Sequence, residues 1–201
     1  MRLHYTQPSP YARKVMVAAE ELGLSDRITL VEVTGTAPTE ANADLTRENP
    51  LKKVPVLVLE DGRSIIDSIV IAEYFQALAG GDRLFPHDEQ RWPCLTLHAL
   101  ADGIMDAGVL VRLEGVRPVE KQWDDWVEAQ RGKVIGAIDA IEADPSLFAG
   151  RLNIGQIGLV CALEWIAFRE VYTDIWDGRP QLTAWFKAVC ERPSFVASRP
   201  R

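Results

Sequence analysis

The chain has 201 residues, enough for one large domain or two small ones with a substantial core. Its 47% hydrophobic and 25% charged residues are ordinary for a folded globular protein and exclude a disordered one. The formal net charge of -7 offers no basic footprint, so neither nucleic acid nor an acidic membrane surface is expected as a partner.

The first third of the chain alternates between strand and helix. RLHYT alternates in polarity and ends in turn residues, as a strand does. Beyond Ser9, the apolar side chains of Ala12, Val15, Met16, Ala19 and Leu22 fall on one helical face, and Gly23 stops the helix. ITLVEV, residues 28–33, is rich in β-branched residues and predicts a second strand parallel to the first. After a variable connection, VPVLVLEDGRSII places two apolar runs on either side of an Asp-Gly turn signal, which predicts an antiparallel hairpin. Asp67 or Ser68 then starts a helix carrying Ile69, Ala72, Phe75 and Leu78, and Gly80-Gly81 ends it.

AGGDRLFPHDEQR has the polar, Gly- and Pro-containing composition of a linker, and beyond it strand signals vanish. Val127, Val134, Ile138 and Ile141 share a helical face. So do Ile154, Ile157, Cys161, Trp165 and Phe168, and later Leu182, Trp185, Phe186 and Val189. NIGQ, residues 153–156, matches a capping box with Asn153 as N-cap and Gln156 at the third helical position. No repeat of fixed period interrupts this pattern. Cys94, Cys161 and Cys190 are odd in number, far apart and in no CxxC pair, so they read as apolar fillers in a reduced compartment. MRLHYTQ lacks the apolar core of a signal peptide, and runs such as IGLVCAL are too short to span a bilayer. A cytoplasmic protein is expected.

Three junctions invite chemistry. Ser9-Pro10 is a preferred N-cap followed by a preferred first helical residue, and needs no ligand to explain it. Pro55 removes an N–H at the start of a strand, which is tolerated at an edge or at a first residue. Asp67-Ser68 opens a helix, whose free N–H groups and positive dipole end favour an anion.

SPYARKV at the first helix start, NPLKKVPVL before the third strand, DS after the hairpin and RPSF after the last amphipathic helix together resemble the glutathione transferase family. The resemblance covers essentially the whole chain, and Ser9-Pro10 with a short C-terminal region is most similar to the small bacterial serine-type members. It implies an α/β plus all-α fold: a thioredoxin-like, glutathione-binding domain over residues 1–79 and a C-terminal helical-bundle domain over residues 88–201. It also implies a cis bond between Val54 and Pro55, leaving the Val54 N–H and C=O to pair with the cysteine segment of glutathione as another strand would. Asp67 would then meet the γ-glutamyl amine and Ser68 its carboxylate, while Lys53 neutralises the glycine carboxylate. The family often has glycine where this chain has Lys52.

By the same resemblance the Ser9 hydroxyl donates to the glutathione sulfur and stabilises the thiolate. Lowering a thiol pKa by about two units requires about 2.7 kcal/mol. A hydrogen bond to a charged group supplies about 1.5 to 3 kcal/mol and a helix N-terminus up to about 1. Tyr5 is a rival donor, although its place in the first strand favours packing against the sheet. Tyr11, Met105, Asp106, Trp165 and Arg169 are candidates for the electrophile site; Trp165 and Arg169 stand i, i+4 on one helix, with Met105 and Asp106 on an earlier one. No metal is expected. A homodimer is implied, with Asp102 and Asp106 near its interface and Asp102 within reach of the partner's glutathione.

The complete set of Ser9, Pro55 and Asp67-Ser68 favours a transferase, with glutathione as co-substrate and a small electrophile as partner. A non-catalytic binding or regulatory module of the same fold is the alternative, since fold alone does not establish function. A glutathione-dependent thiol-disulfide reductase is disfavoured by the absence of CxxC, though bound glutathione can itself supply the thiol.

Overall fold

The computed structural model describes residues 1–34 and 42–200. The chain divides into two compact units, Met1–Phe85 with Pro193–Arg201, and Pro86–Arg192.

In the first unit the order is β1 (Arg2–Tyr5), α1 (Pro10–Glu21), β2 (Thr29–Glu32), α2 (Ala43–Glu48), β3 (Val56–Val58), β4 (Ser64–Ile65) and α3 (Ser68–Ala79). The sheet order is β2-β1-β3-β4, with β1 parallel to β2 and antiparallel to β3, and β3 antiparallel to β4. This is the βαβ-ββα arrangement the sequence predicts. The short helix α2 is an addition in the connection, whose residues 35–41 lie outside the described residues. Asn42 caps α2 by accepting from the Leu45 N–H at 2.9 Å.

The unbroken apolar run of β3 reflects burial on both faces of the sheet. Leu57 joins Leu3, Val15, Ala19, Ile71 and Phe75 on the face covered by α1 and α3. Val56 and Val58 join Val33 and Leu45 on the face covered by α2. Full burial of a leucine or valine contributes about 1.5–3 kcal/mol, so both faces hold β3 in place. The buried stripe of α3 is Ser68, Ile71, Ala72, Phe75 and Gln76, rotated from the expected one; Ile69 is half-buried and Leu78 is exposed. Gln76 explains part of the rotation. Its amide donates to the Gly80 carbonyl at 2.7 Å and accepts from the Leu84 N–H at 2.8 Å, which ties the end of the helix to the following segment.

The last helix, α8 (Pro193–Ala197), belongs to this first unit, although the sequence reading groups everything after residue 88 with the helical domain. Two buried charges on α1 explain the placement. Arg13 donates to the Phe195 carbonyl at 3.2 Å, and its guanidinium lies 5.9 Å from the centre of the Phe195 ring. Glu21 accepts from the Ser194 hydroxyl at 2.7 Å and from Arg83 at 2.9 Å. RPSF is therefore a clamp on α1.

The second unit is helical throughout its described elements: α4 (Arg91–Glu114), α5 (Asp124–Ala143), α6 (Ile154–Phe168) and α7 (Pro180–Val189), with short 3-10 turns between them. Helix α6 is buried on nearly every side from Ile154 to Leu163 and packs against α4. Two glycines set the separation. A Cβ added at Gly155 would stand 2.4 Å from the Cys94 carbonyl oxygen, and one added at Gly108 would stand 2.3 Å from Ile166 Cδ1. Among the described residues α4 is the one helix long and apolar enough to cross a membrane, at a mean hydropathy of 1.5, a combination the short apolar runs do not signal. Its Leu97, Ala101, Ile104 and Met105 are core residues of this unit.

Asn153 accepts from the Gln156 N–H at 3.1 Å, as a capping box requires. The Gln156 side chain departs from that motif: it donates to the Ala149 carbonyl at 2.9 Å and pins the preceding turn. All three cysteines are buried, and burial pushes the Cys94 thiol up.

Candidate functional site

Strand register gathers the three junctions singled out in the sequence. His4 pairs with Val56 in the antiparallel β1–β3 ladder, so the end of β1 lies beside the start of β3. Leu57 pairs with Ile65, so the end of β4 lies at that same edge. Ser9 follows β1, Val54 precedes β3 and Asp67 follows β4. One end of the sheet therefore carries all three.

Ser9 is the N-cap of α1, with Pro10 as the first helical residue. Its Oγ accepts from the Ala12 N–H at 3.2 Å, and its own N–H donates to the Thr6 carbonyl at 3.0 Å, closing the turn after β1. A hydroxyl that accepts from a backbone N–H keeps its proton for donation. Among the described residues that proton has no acceptor. Capping and donation to a ligand are thus compatible roles for one atom. Tyr5 is half-buried at the end of β1, where its carbonyl accepts from the Val33 N–H at 2.8 Å.

The peptide bond between Val54 and Pro55 is cis, as is that between Ile66 and Asp67. Pro55 is buried, and the Val54 side chain packs against Val33, Leu45, Val56 and Val58. Among the described residues the Val54 N–H and C=O have no hydrogen-bond partner. They form an open strand edge one residue wide, suited to an extended peptide.

The segment leading to Val54 is organised by Asn49, which the sequence reading passed over. Asn49 is 2% exposed and uses all of its polar groups. Its side chain donates to the Lys53 carbonyl at 2.8 Å and accepts from the Leu51 N–H at 2.9 Å. Its backbone donates to the Leu45 carbonyl at 2.8 Å and accepts from the Lys52 N–H at 2.9 Å. The signal was the Asn-Pro pair after a short polar helix, a turn-forming dipeptide. Lys52 has φ of 55°, in the left-handed region, which accounts for the glycine often found at this position in the family it resembles. The Lys53 side chain is exposed.

Asp67 is the N-cap of α3, accepting from the Ile69 N–H at 3.3 Å, with its carboxylate exposed. Ser68, the first helical residue, is 2% exposed, and its hydroxyl makes no hydrogen bond among the described residues. The N–H groups at this helix start, the Ser68 hydroxyl and the Asp67 carboxylate together present donors and an acceptor within two residues. That combination suits a group carrying both a carboxylate and an amine.

The second unit places its candidates differently. Met105 has no accessible surface and Trp165 is 5% exposed, so both are core residues there and neither presents a wall. Asp106 is exposed and Arg169 is half-buried at the C-cap of α6. Asp102 lies 3.6 Å from His98 Nε2 on the same face of α4. Tyr11, in the first unit, is half-buried with Lys14 Nζ 6.0 Å from its ring centre.

Two family models match the chain: the glutathione S-transferase N-terminal domain over residues 8–78 and the glutathione S-transferase C-terminal domain over residues 124–188. Among solved structures, a glutathione transferase family member from Pseudomonas fluorescens Pf-5 with bound glutathione superposes with a TM-score of 0.95 at 40% identity, covering 100% of this chain and 98% of that one. A structure from the same strain with bound S-(propanoic acid)-glutathione gives 0.88 at 38% identity, covering 100% of both chains. The uncharacterized GST-like protein YibF of Escherichia coli (strain K12) is 32% identical, over 100% of this chain and 98% of its own length. Identity sustained along the entire chain, with both domain models met in order, shows that the chain belongs to the glutathione S-transferase family.

Proposed function

We propose that this protein is a glutathione transferase that stabilises the glutathione thiolate for attack on a small electrophile. The observation that carries the reading is the open N–H and C=O of Val54, at the same sheet end as Ser9 and Asp67-Ser68. An extended tripeptide has a strand to pair with at Val54 and an amine and carboxylate to place at Asp67 and Ser68. Lys53 neutralises its other carboxylate. Its cysteine sulfur then falls toward the Ser9 hydroxyl, which donates to the thiolate while the thiol proton passes to solvent. The sulfur attacks an electrophilic carbon, and the leaving group departs with the bonding pair or, in an addition, the product carbanion takes a proton. The bound glutathione of one Pseudomonas neighbour and the S-(propanoic acid)-glutathione of the other support glutathione as co-substrate and a glutathione thioether as product class.

In this reading Tyr11, Asp106 and Arg169 remain the candidates for electrophile contacts, the protein works in the cytoplasm, and it is a homodimer with Asp102 and Asp106 toward the interface. Titration calorimetry with glutathione tests the central step. Asp67→Ala is expected to weaken binding about tenfold, as loss of a charge-assisted contact does. Absence of glutathione binding by the wild type at millimolar ligand would overturn the proposal.

A further inference from the structure

Helix α1 carries Ser9 at its start, and its apolar face alone does not fix where that hydroxyl stands. Val15 and Ala19 join Leu3, Leu57, Ile71 and Phe75 in one cluster, and apolar contact of this kind is non-directional. Turning α1 by about 20° would carry its Cα atoms about 0.8 Å and its side chains further. A hydroxyl donor has a window of only about 0.5 Å in which its bond is good.

Direction comes from two buried charged side chains of α1, both gripped by α8. Arg13 is 3% exposed. Its Nη2 donates to the Phe195 carbonyl at 3.2 Å and its Nε to Ser198 Oγ at 3.4 Å, two bonds from one rigid plane. Ser198 Oγ in turn donates to the Ser194 carbonyl at 2.9 Å. Helix α8 has five residues, so nearly all of its carbonyls need donors from outside the helix, and these bonds supply two of them. Further along α1, Glu21 accepts from the Ser194 hydroxyl at 2.7 Å and from Arg83 at 2.9 Å. The two grips stand about 12 Å apart along the helix axis, which resists rotation, sliding and tilt together. A buried guanidinium is costlier than an apolar side chain of similar volume, and the property the apolar one lacks is this direction.

Arg13 also belongs to the turn that Ser9 caps. The Arg13 N–H donates to the Ser9 carbonyl at 3.1 Å, and the Ala12 N–H donates to Ser9 Oγ at 3.2 Å. Whatever fixes Arg13 therefore fixes both acceptors of Ser9.

We propose that Arg13, held by the carbonyl end of α8, is the positioning residue for the Ser9 hydroxyl. The inference rests on the transferase reading above and gives its thiolate-stabilising group a support that touches no part of glutathione.

The test is the ultraviolet titration of bound glutathione in Arg13→Met, which keeps the apolar stem against Phe195 and removes the two directed bonds. The thiolate titration is expected to rise by about half to one unit relative to wild type, with glutathione affinity retained. Ser194→Ala breaks the grip at the far end of α1; it is expected to lower the melting temperature and to titrate like wild type. A wild-type titration in folded Arg13→Met overturns the proposal, and so does an equal shift in Ser194→Ala. If Arg13→Met does not fold, Arg13→Lys carries the test, because it keeps the charge and loses the fork: an intermediate shift upholds the proposal and a wild-type titration overturns it. Amide hydrogen exchange without glutathione separates this from failure of the transferase reading. Arg13→Met is expected to speed exchange at Ala12 about tenfold more than at Leu22, whose N–H bonds to the Ala18 carbonyl at the other end of α1. A wild type that does not lower the thiol, combined with this selective loss at Ala12, overturns the transferase reading and upholds the hold of Arg13 on the helix start. A wild type that does not lower the thiol, with exchange at Ala12 unchanged in the variant, overturns both.

Discussion

The two units of this chain build candidate sites from different materials. The first uses backbone groups and helix starts: the open edge at Val54, the N-cap at Ser9 and the N-terminus of α3 at Asp67-Ser68. The second offers side chains projecting from a tightly packed helix pair, and two of its four candidates, Met105 and Trp165, are consumed by that packing. Backbone sites are fixed by topology and tolerate little choice of side chain. Helix-wall sites depend on how each helix is rotated about its axis, so they vary readily while the scaffold persists.

The largest effect expected from this contrast is in the second unit, where the scaffold has no slack. In Gly155→Ala the new methyl meets a backbone oxygen that cannot swing aside, and a loss of about 3 kcal/mol is expected by chemical denaturation. Gly132→Ala in α5 meets nothing within 4 Å and is expected to gain up to about 1 kcal/mol, as an exposed helical glycine replaced by alanine does. Equal responses of the two variants would contradict the close α4–α6 packing.

In the first unit the corresponding weak point is a loop. Asn49→Ala removes two side-chain hydrogen bonds from a buried position and leaves the Lys53 carbonyl and Leu51 N–H without those partners. A loss of about 2 kcal/mol is expected, with weaker glutathione binding because Val54 is no longer held. Retained affinity in a destabilised protein would show that the loop is not needed to present Val54.

These residues also show how far the sequence could be read. The βαβ-ββα order was legible because each boundary carries punctuation with its own mechanism: Ser9-Pro10 and Asp67 for helix starts, Asp61-Gly62 for the hairpin and Gly23 and Gly80 for helix stops. The junctions that converge on the site were legible for the same reason, since they are those boundaries. The rotation of α3 was not, because Gln76 replaces an apolar residue in the buried stripe and satisfies itself on Gly80 and Leu84, partners that periodicity does not register. The placement of α8 was missed because its anchors, Arg13 and Glu21, are charged residues that the apolar pattern discounts. Asn49 was hidden similarly, because its bonds to the Lys53 carbonyl and the Leu51 N–H are side-chain to backbone contacts that leave no periodic signal.

A smaller effect is expected at Lys52. Its left-handed backbone costs a lysine more than a glycine, and Lys52→Gly is expected to stabilise the protein by about 0.5–1 kcal/mol without changing the Val54 edge. Destabilisation would indicate that the Lys52 side chain makes a contribution larger than the backbone cost.

In the proposed reaction the Ser9 hydroxyl, beyond capping α1, stabilises the thiolate of bound glutathione. The direct measurement is the ultraviolet absorbance of that thiolate as a function of pH, in the wild type and in Ser9→Ala, each saturated with glutathione. The wild type is expected to titrate about one to two units below the free thiol, and Ser9→Ala is expected to move back toward the free value while glutathione affinity is nearly retained. Loss of the cap alone costs about 1 kcal/mol of stability and leaves the sulfur unaffected. A Ser9→Ala variant that melts lower yet titrates like the wild type would contradict the claim and leave Ser9 as a cap only.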